Sequence, residues 1–420
     1  MMSKFSLSVR LGLIFTMTGV AFGIRAPIVI DGEFDDWASV GVAATDALGD
    51  SVSEVDLGRL WLSDDDDYLY LRFETTAEID ASENNELRLF IRGENGQELE
   101  WHLGGRTGVY RFGGSVTATS LDYTQIGFRQ MPTVSTTVLE IGVALDAVPD
   151  GVNQLFSGMN VEVWLEERAG GDRLPDAGSI SYVLGQGALP EETVIDFEKH
   201  RTSDLRIVTY NVLFDRIFNL LYADSFRRQI EAVRPDVINF QEIFGHTAEE
   251  TRSLIEGWLP LEEGAQWYAS EPSTEFGDTI TVSRFPITRF WTLDALNSGT
   301  GNLAVELDTR ELLGYYTIVI NAHPPCCAND NARQVEVDQI IAFLRSGVTT
   351  EVGQAIEQNT PIIFAGDMNF VGRAQQPRTL LEGDIVNESN FGEDYVPDWD
   401  GSALSSVVPR HSESWWLHLD

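Results

Sequence analysis

Cysteine is almost missing from this chain: 420 residues hold two, Cys326 and Cys327, and they are neighbours. Adjacent Cα atoms lie about 3.8 Å apart, below the usual disulfide span. The pair is therefore no ordinary staple, and the fold is not read as disulfide-dependent. Basic residues are scarce too. Twenty-eight Lys and Arg stand against 66 Asp and Glu, a formal net charge of −38. Proteins that grip long nucleic acid gain affinity by neutralising phosphates with Lys and Arg, so this balance argues against a processive duplex nuclease. It also suits solubility in a salty medium. Low-complexity runs are lacking, and only one long apolar run exists, Leu11 to Phe22. That run is shorter than the about 20 residues that cross a bilayer. Lys4 and Arg10 precede it with no acid, and Ala21-Phe22-Gly23 offers small residues at signal-peptidase spacing. Residues 1–23 are expected to be a signal peptide, with an uncleaved anchor as the alternative. The mature chain, without a transmembrane segment, is then expected to be secreted or periplasmic.

What remains is globular in composition, with 43% hydrophobic residues, and long enough for two or three domains. Residues 24–190 read as an all-β sandwich. Asp67-Tyr68-Leu69-Tyr70-Leu71-Arg72-Phe73 and Glu86-Leu87-Arg88-Leu89-Phe90-Ile91 alternate apolar and polar residues at period two, with turns such as Gly93-Glu94-Asn95-Gly96 between them. Residues 191–204 form the expected linker. From Leu205 to residue 420 strands alternate with helices, a layered α/β pattern. Strands are predicted at 205–213, 236–241, 278–284, 302–308, 314–322 and 360–366, and helices near 222–233, 247–258 and 330–346. Val337, Ile340, Ile341 and Leu344 recur at helical spacing and form a packing face.

The opening Ile30-Asp31-Gly32-Glu33-Phe34-Asp35-Asp36-Trp37, with Leu60-Trp61-Leu62 and Asp66-Asp67-Tyr68-Leu69-Tyr70, resembles carbohydrate-binding module family 9-like sandwich domains. The resemblance covers roughly the first third of the chain and implies glycan as a partner of this region. Trp37 and Trp61 are either part of a sugar platform or core residues. The acids at 64–67 are either Ca²⁺ ligands or a solvated turn.

In the second region, polar residues stand where predicted strands end. Tyr210-Asn211-Val212 closes one run on an amide, and Phe240-Gln241-Glu242 another on Gln and a carboxylate. Asn321-Ala322-His323 ends on an imidazole, and Gly366-Asp367-Met368-Asn369 carries Asp and Asn two apart, on one face if extended. Singly, each is commonplace. Four such ends imply one cleft whose carboxylate, amide and imidazole groups suit phosphoester hydrolysis. A hard cation takes carboxylate oxygen, imidazolium and amide N–H neutralise phosphoryl charge, and a carboxylate activates water.

These motifs, with Val282-Ser283-Arg284-Phe285-Pro286-Ile287 in the same order, resemble the endonuclease/exonuclease/phosphatase superfamily across residues 205–420. The resemblance implies a deoxyribonuclease-I-like fold, an α/β four-layer sandwich of two packed mixed sheets flanked by helices. It implies a divalent-metal-dependent phosphoesterase using Mg²⁺, with Mn²⁺ or Ca²⁺ as substitutes. Glu242 and Asn211 take the metal, His323 contacts the phosphate or leaving group, Asp367 activates water, and Asn369 orients Asp367 and the phosphate. Arg284 is read as structural. Substrates of that kind are nucleic acid, phospholipid headgroups or small phosphates.

The chain departs from the pattern after Asn369. Family members end on an Arg-x-Asp-Tyr-type strand and a Ser-Asp-His element; neither pattern stands in residues 370–420, and His411, His418 and Asp420 are poor substitutes. The domain is therefore expected to be truncated before its last catalytic strand and inactive as it stands. The alternative reading is a non-catalytic surface or glycan-binding protein that keeps the phosphoesterase fold as a scaffold.

Overall fold

The computed structural model describes residues 25–26, 28–81, 85–189, 199, 201–274, 277–293, 301–346 and 360–397. The expected signal segment 1–23, most of the linker 191–204 and the terminal stretch holding His411, His418 and Asp420 lie outside the described residues. The chain splits into two compact units after residue 190, and two short loops, 80–84 and 132–136, go with the second unit.

The first unit is all-β, as its period-two pattern predicts. Its strands are β1 (Val42–Thr45), β2 (Leu57–Asp64), β3 (Tyr68–Ile79), β4 (Leu87–Gly93), β5 (Gln97–His102) and β6 (Thr107–Phe112). They continue as β7 (Ser115–Leu121), β8 (Arg129–Met131), β9 (Thr136–Ala144), β10 (Asn160–Glu167), β11 (Asp172–Leu174) and β12 (Ile180–Val183). One sheet runs β1-β2-β3-β9-β8; the other runs β11-β10-β4-β5-β6-β7, with β12 also on β10. Leu60, Leu62, Leu71, Leu89, Ile91, Leu99, Trp101 and Ile141 form the shared core, so this is a sandwich of two apolar faces. Trp37 and Trp61 are buried with Tyr70 and Met131, and Trp37 Nε1 donates to Glu140 at 3.0 Å. They are core residues, not an exposed platform. The acids at 64–67 are a turn. Asp65 accepts from the Asp67 and Tyr68 N–H groups and the Tyr70 hydroxyl, and buried Asp64 takes Arg25, the Tyr182 hydroxyl and Gly185 N–H.

The second unit is α/β. Strands β13 (Ile207–Asn211), β14 (Val237–Gln241), β15 (Tyr268–Ser270) and β16 (Ile280–Ser283) form one sheet in the order β13-β14-β16-β15. Strands β17 (Ile287–Leu293), β18 (Asn302–Leu307), β19 (Thr317–Ala322) and β20 (Ile362–Gly366) form the other, in sequence order. Each sheet is mixed: β13 is parallel to β14 and β20 to β19, and the remaining pairs are antiparallel. A helix joins each parallel pair, as such crossovers require: α1 (Ala223–Val233) in the first, α4 (Asp330–Ser346) in the second.

Between the sheets lie Val237, Leu303, Val305, Leu307 and Val319. Outside them, Phe226 and Ile230 of α1 and Ile255 of α2 (Ala248–Trp258) cover one sheet. Val337, Ile340 and Ile341 of α4 cover the other, joined by Leu380 of α5 (Gln375–Glu382). This is the expected four-layer sandwich. Two short helices, α3 (Arg310–Leu313) and α6 (Glu388–Phe391), complete the α-helices among the described residues. Thr247 caps α2 through a reciprocal box with Glu250, which satisfies donors the first turn leaves open.

Candidate active site

Parallel strands open their crevice at their carboxyl ends, and both parallel pairs here end on the same rung as their chemistry-bearing residues. Asn211 pairs with Gln241 across β13 and β14, which puts Glu242 one residue further on. Ala322 pairs with Gly366 across β19 and β20, which puts His323 beside Asp367. Gly366 has no alternative: a Cβ there would sit 2.0 Å from the Ala322 carbonyl oxygen and 2.7 Å from its nitrogen.

Asn211 ties the two halves together. Its Nδ2 donates to Glu242 Oε1 at 2.8 Å and to Asp367 Oδ2 at 2.9 Å. Glu242, buried, also accepts from the Phe214 N–H at 3.0 Å. The backbone is strained around this contact. Leu213, Phe214, Asp215, Glu242 and Asn369 all have positive φ, between 47° and 62°, which costs a residue with a side chain about 1–2 kcal/mol. Local bonds hold it: Leu213 N–H to Asn211 Oδ1, Asp215 N–H to the Glu242 carbonyl, and Phe244 N–H to Asp215. Strain concentrated at one cleft is common where function fixes the geometry.

His323 is clamped from three sides. Its backbone N–H donates to Asn302 Oδ1 at 2.8 Å, and the Asn302 amide in turn donates to Glu336 of α4. Nδ1 is bonded to Asp278 Oδ2, and Nε2 lies 3.8 Å from Asp367 Oδ2. Burial works to lower the imidazole's pKa, but the Asp278 carboxylate outweighs it, helped by Asp367 and Glu242, and the net effect is a rise to about 9. His323 is thus a cation at neutral pH. Asn369 fixes Asp367 through its own backbone N–H, 3.1 Å from Oδ1, while its side-chain amide donates to the Pro324 carbonyl.

All five residues singled out in the sequence therefore converge. The sequence alone does not assign Asp278, two residues before β16, to the site; it reads only as the start of the strand predicted at 278–284. An acid at the mouth of a buried strand was the available signal. Asn302, at the first position of β18, carried no sign of its role. Arg284 pairs with Asp236, away from the cleft residues named above. Cys326 and Cys327, just past His323, are disulfide-bonded to each other, so the adjacent pair that spacing marked as no ordinary staple is a vicinal one.

The donor set fits a hard divalent ion. Three carboxylates, Glu242, Asp367 and Asp278, face one imidazolium, leaving the pocket with excess negative charge and oxygen ligands of the kind Mg²⁺ takes.

The sequence pattern of the Endonuclease/Exonuclease/phosphatase family matches residues 208–420, and the chain belongs to that family. No curated protein sequence matches the chain. Among solved structures it is similar to a β-hairpin deletion mutant of beta toxin from Staphylococcus aureus, with 16% identity and a TM-score of 0.31. That match covers 43% of this chain and 73% of the toxin. It is similar also to D. rerio TDP2 complexed with single-strand DNA product: 16% identity, TM-score 0.30, 42% of this chain and 64% of that one. A third is sphingomyelinase C from Streptomyces griseocarneus: 22% identity, TM-score 0.28, 39% of this chain and 64% of that one. The chain thus spans just under two thirds of the latter two.

Proposed function

We propose that the second unit is a divalent-metal-dependent hydrolase of phosphoester bonds. The observation that carries this reading is the Asn211 amide held between Glu242 and Asp367, with the His323 imidazolium beside Asp367. Family membership supports it. Glu242 would hold the ion, Mg²⁺ in the first place, with the Asn211 amide beside it. When bound, the ion supplies positive charge to the phosphoryl oxygens and helps acidify the attacking water.

The chain's own residues do the rest. Asp367, fixed by the Asn211 amide and the Asn369 N–H, orients a water and takes its proton. His323 donates from Nε2 to a phosphoryl oxygen, and its charge opposes the charge that builds there. Asp278 keeps the imidazole protonated and turned toward the cleft. The exposed rings of Phe214 and Phe244, stacked at 5.6 Å on either side of Glu242 in sequence, offer an apolar rest for the ester's organic group.

In bis-p-nitrophenyl phosphate the p-nitrophenolate departs without needing a proton, so this ester reports directly on the five cleft residues. Metal-dependent hydrolysis, abolished by chelator and by Glu242→Gln, is the expected result. Complete inertness toward this ester, with phosphate-ester binding also absent, would favour the scaffold reading instead.

A further inference from the structure

Far along the sequence from the cleft residues, the first unit gathers five carboxylates that no basic side chain among the described residues answers. Asp46, Asp50 and Asp56 come from the loop between β1 and β2 and its flanks; Asp172 and Asp176 come from β11 and the turn after it. One carboxylate oxygen each from Asp46, Asp50 and Asp176 lie within 4.8 Å of one another, and so do those of Asp50, Asp56 and Asp172. Asp50 belongs to both groups.

Like charges this close destabilise one another, so a cluster of acids alone would be a liability. The cluster contains something more specific. Asp46 and Asp56 are each only 6% exposed, and Asp46 Oδ2 and Asp56 Oδ1 are buried without any hydrogen-bond partner. A buried carboxylate oxygen left without a donor is costly. Their other oxygens are held by the chain: Asp46 Oδ1 by the Ala47 N–H at 2.9 Å, and Asp56 Oδ2 by the Gly49 N–H. Asp172 accepts from the Leu57 N–H at 2.6 Å and the Arg173 N–H at 2.5 Å. The backbone thus orients three buried acids and leaves one oxygen of each of two with nothing to bond. Among the described residues, Arg, Lys and His form no ion pair with these five; neighbouring Arg173 turns to Glu166.

The acids at 64–67 make the contrast. There Arg25, Tyr70 and Tyr182 supply the donors, and the turn needs no ion.

We propose that Asp46, Asp50, Asp56, Asp172 and Asp176 form a Ca²⁺ site that clamps the β1–β2 loop to the β11 turn. Ca²⁺ accepts six to eight oxygens in irregular geometry, which five carboxylates from two segments can supply. Mg²⁺ demands a tighter octahedron and keeps its waters. The ion bonds the two orphaned oxygens and cancels the mutual repulsion. The site is independent of the proposed catalysis.

The test uses the full chain, stripped with chelator and titrated with CaCl₂ by calorimetry and thermal melting. Variants are the double substitution Asp46→Asn/Asp172→Asn and, as a control for the cleft, Glu242→Gln. Wild type and Glu242→Gln should bind Ca²⁺ with a Kd on the order of 10⁻⁵ to 10⁻³ M and melt at least about 3 °C higher with saturating ion. The double variant should lose this binding event and the Ca²⁺-dependent rise while still melting cooperatively in chelator. If it misfolds, Asp50→Asn/Asp176→Asn, at the two exposed ligands, should weaken Ca²⁺ at least about tenfold. Wild type that neither binds Ca²⁺ nor shifts its melting, or folded variants that bind as wild type does, would overturn the proposal.

Discussion

At the scale of single residues, His323 shows how the cleft sets its own charge. An imidazole so buried would ordinarily lose its proton, yet the Asp278 carboxylate on Nδ1 reverses that and lifts its pKa to about 9. The linkage has a definite sign. A group with a raised folded pKa adds stability that is fully present below its unfolded value of 6.5 and fades as pH climbs through about 9. Asp278→Asn removes the main cause of the rise. In chelated protein, an NMR titration should show His323 moving from near 9 to well below it, and the stability lost between pH 6.5 and 9 should shrink with it. An unmoved titration would mean that Asp278 does not hold the proton. Asp278 was hard to read in advance because its sequence neighbours, Gly277 and Thr279, only mark the start of a strand. Its partner lies 45 residues away, and only the folded sheets join them.

At the scale of elements, register does the positioning. Two parallel pairs end in step, Asn211 with Gln241 and Ala322 with Gly366, and a buried polar network ties the two sheets behind the cleft. Gln241 donates to Asn321 Oδ1 at 2.7 Å, Asn321 to the Phe240 and Ile280 carbonyls, and Asn239 to the Ala365 carbonyl. Satisfied networks of this kind specify one arrangement. Gly366→Ala would drive a methyl into Ala322 and spread β19 from β20 where His323 and Asp367 begin. We expect a stability loss of about 1–3 kcal/mol and a larger effect on kcat/KM, on the order of 10²-fold. Denaturant titration and steady-state kinetics would show it; wild-type values in both would refute the role given to this glycine. The strands and helices around the cleft were legible because each carries a clean period and a polar terminus. Strands β15 and β17 and helix α5 escaped notice. Tyr268–Ser270 is three residues long, Ile287–Leu293 carries an interior Arg and two Thr, and Gln375–Glu382 holds a Pro in its first turn.

For the whole molecule, charge is the dominant property. At −38 the chain repels polyanions over roughly a Debye length, about 10 Å at 0.1 M salt. Nucleases that rely on basic grooves bind DNA less well as salt rises; this protein should do the opposite. Raising NaCl from about 20 to about 150 mM should lower the KM for plasmid DNA and leave that for bis-p-nitrophenyl phosphate almost unchanged. A KM for DNA that climbs with salt would instead point to a basic groove not evident in the composition. Charge also explains why the two units need different answers to crowding among their acids. In the second, Asp278 is met by His323; in the first, the proposed Ca²⁺ would meet the cluster around Asp50.

The central claim is that Asn211, Glu242, His323, Asp367 and Asn369 form one metal-assisted phosphoester-hydrolysing site. Its most direct test is the Mg²⁺ dependence of bis-p-nitrophenyl phosphate hydrolysis by wild type, Glu242→Gln and Asp367→Asn. Saturable Mg²⁺-dependent turnover in wild type, lowered at least about 10²-fold in each variant with folding intact, is the predicted result. Turnover that survives chelator, or that either substitution leaves untouched, would contradict it.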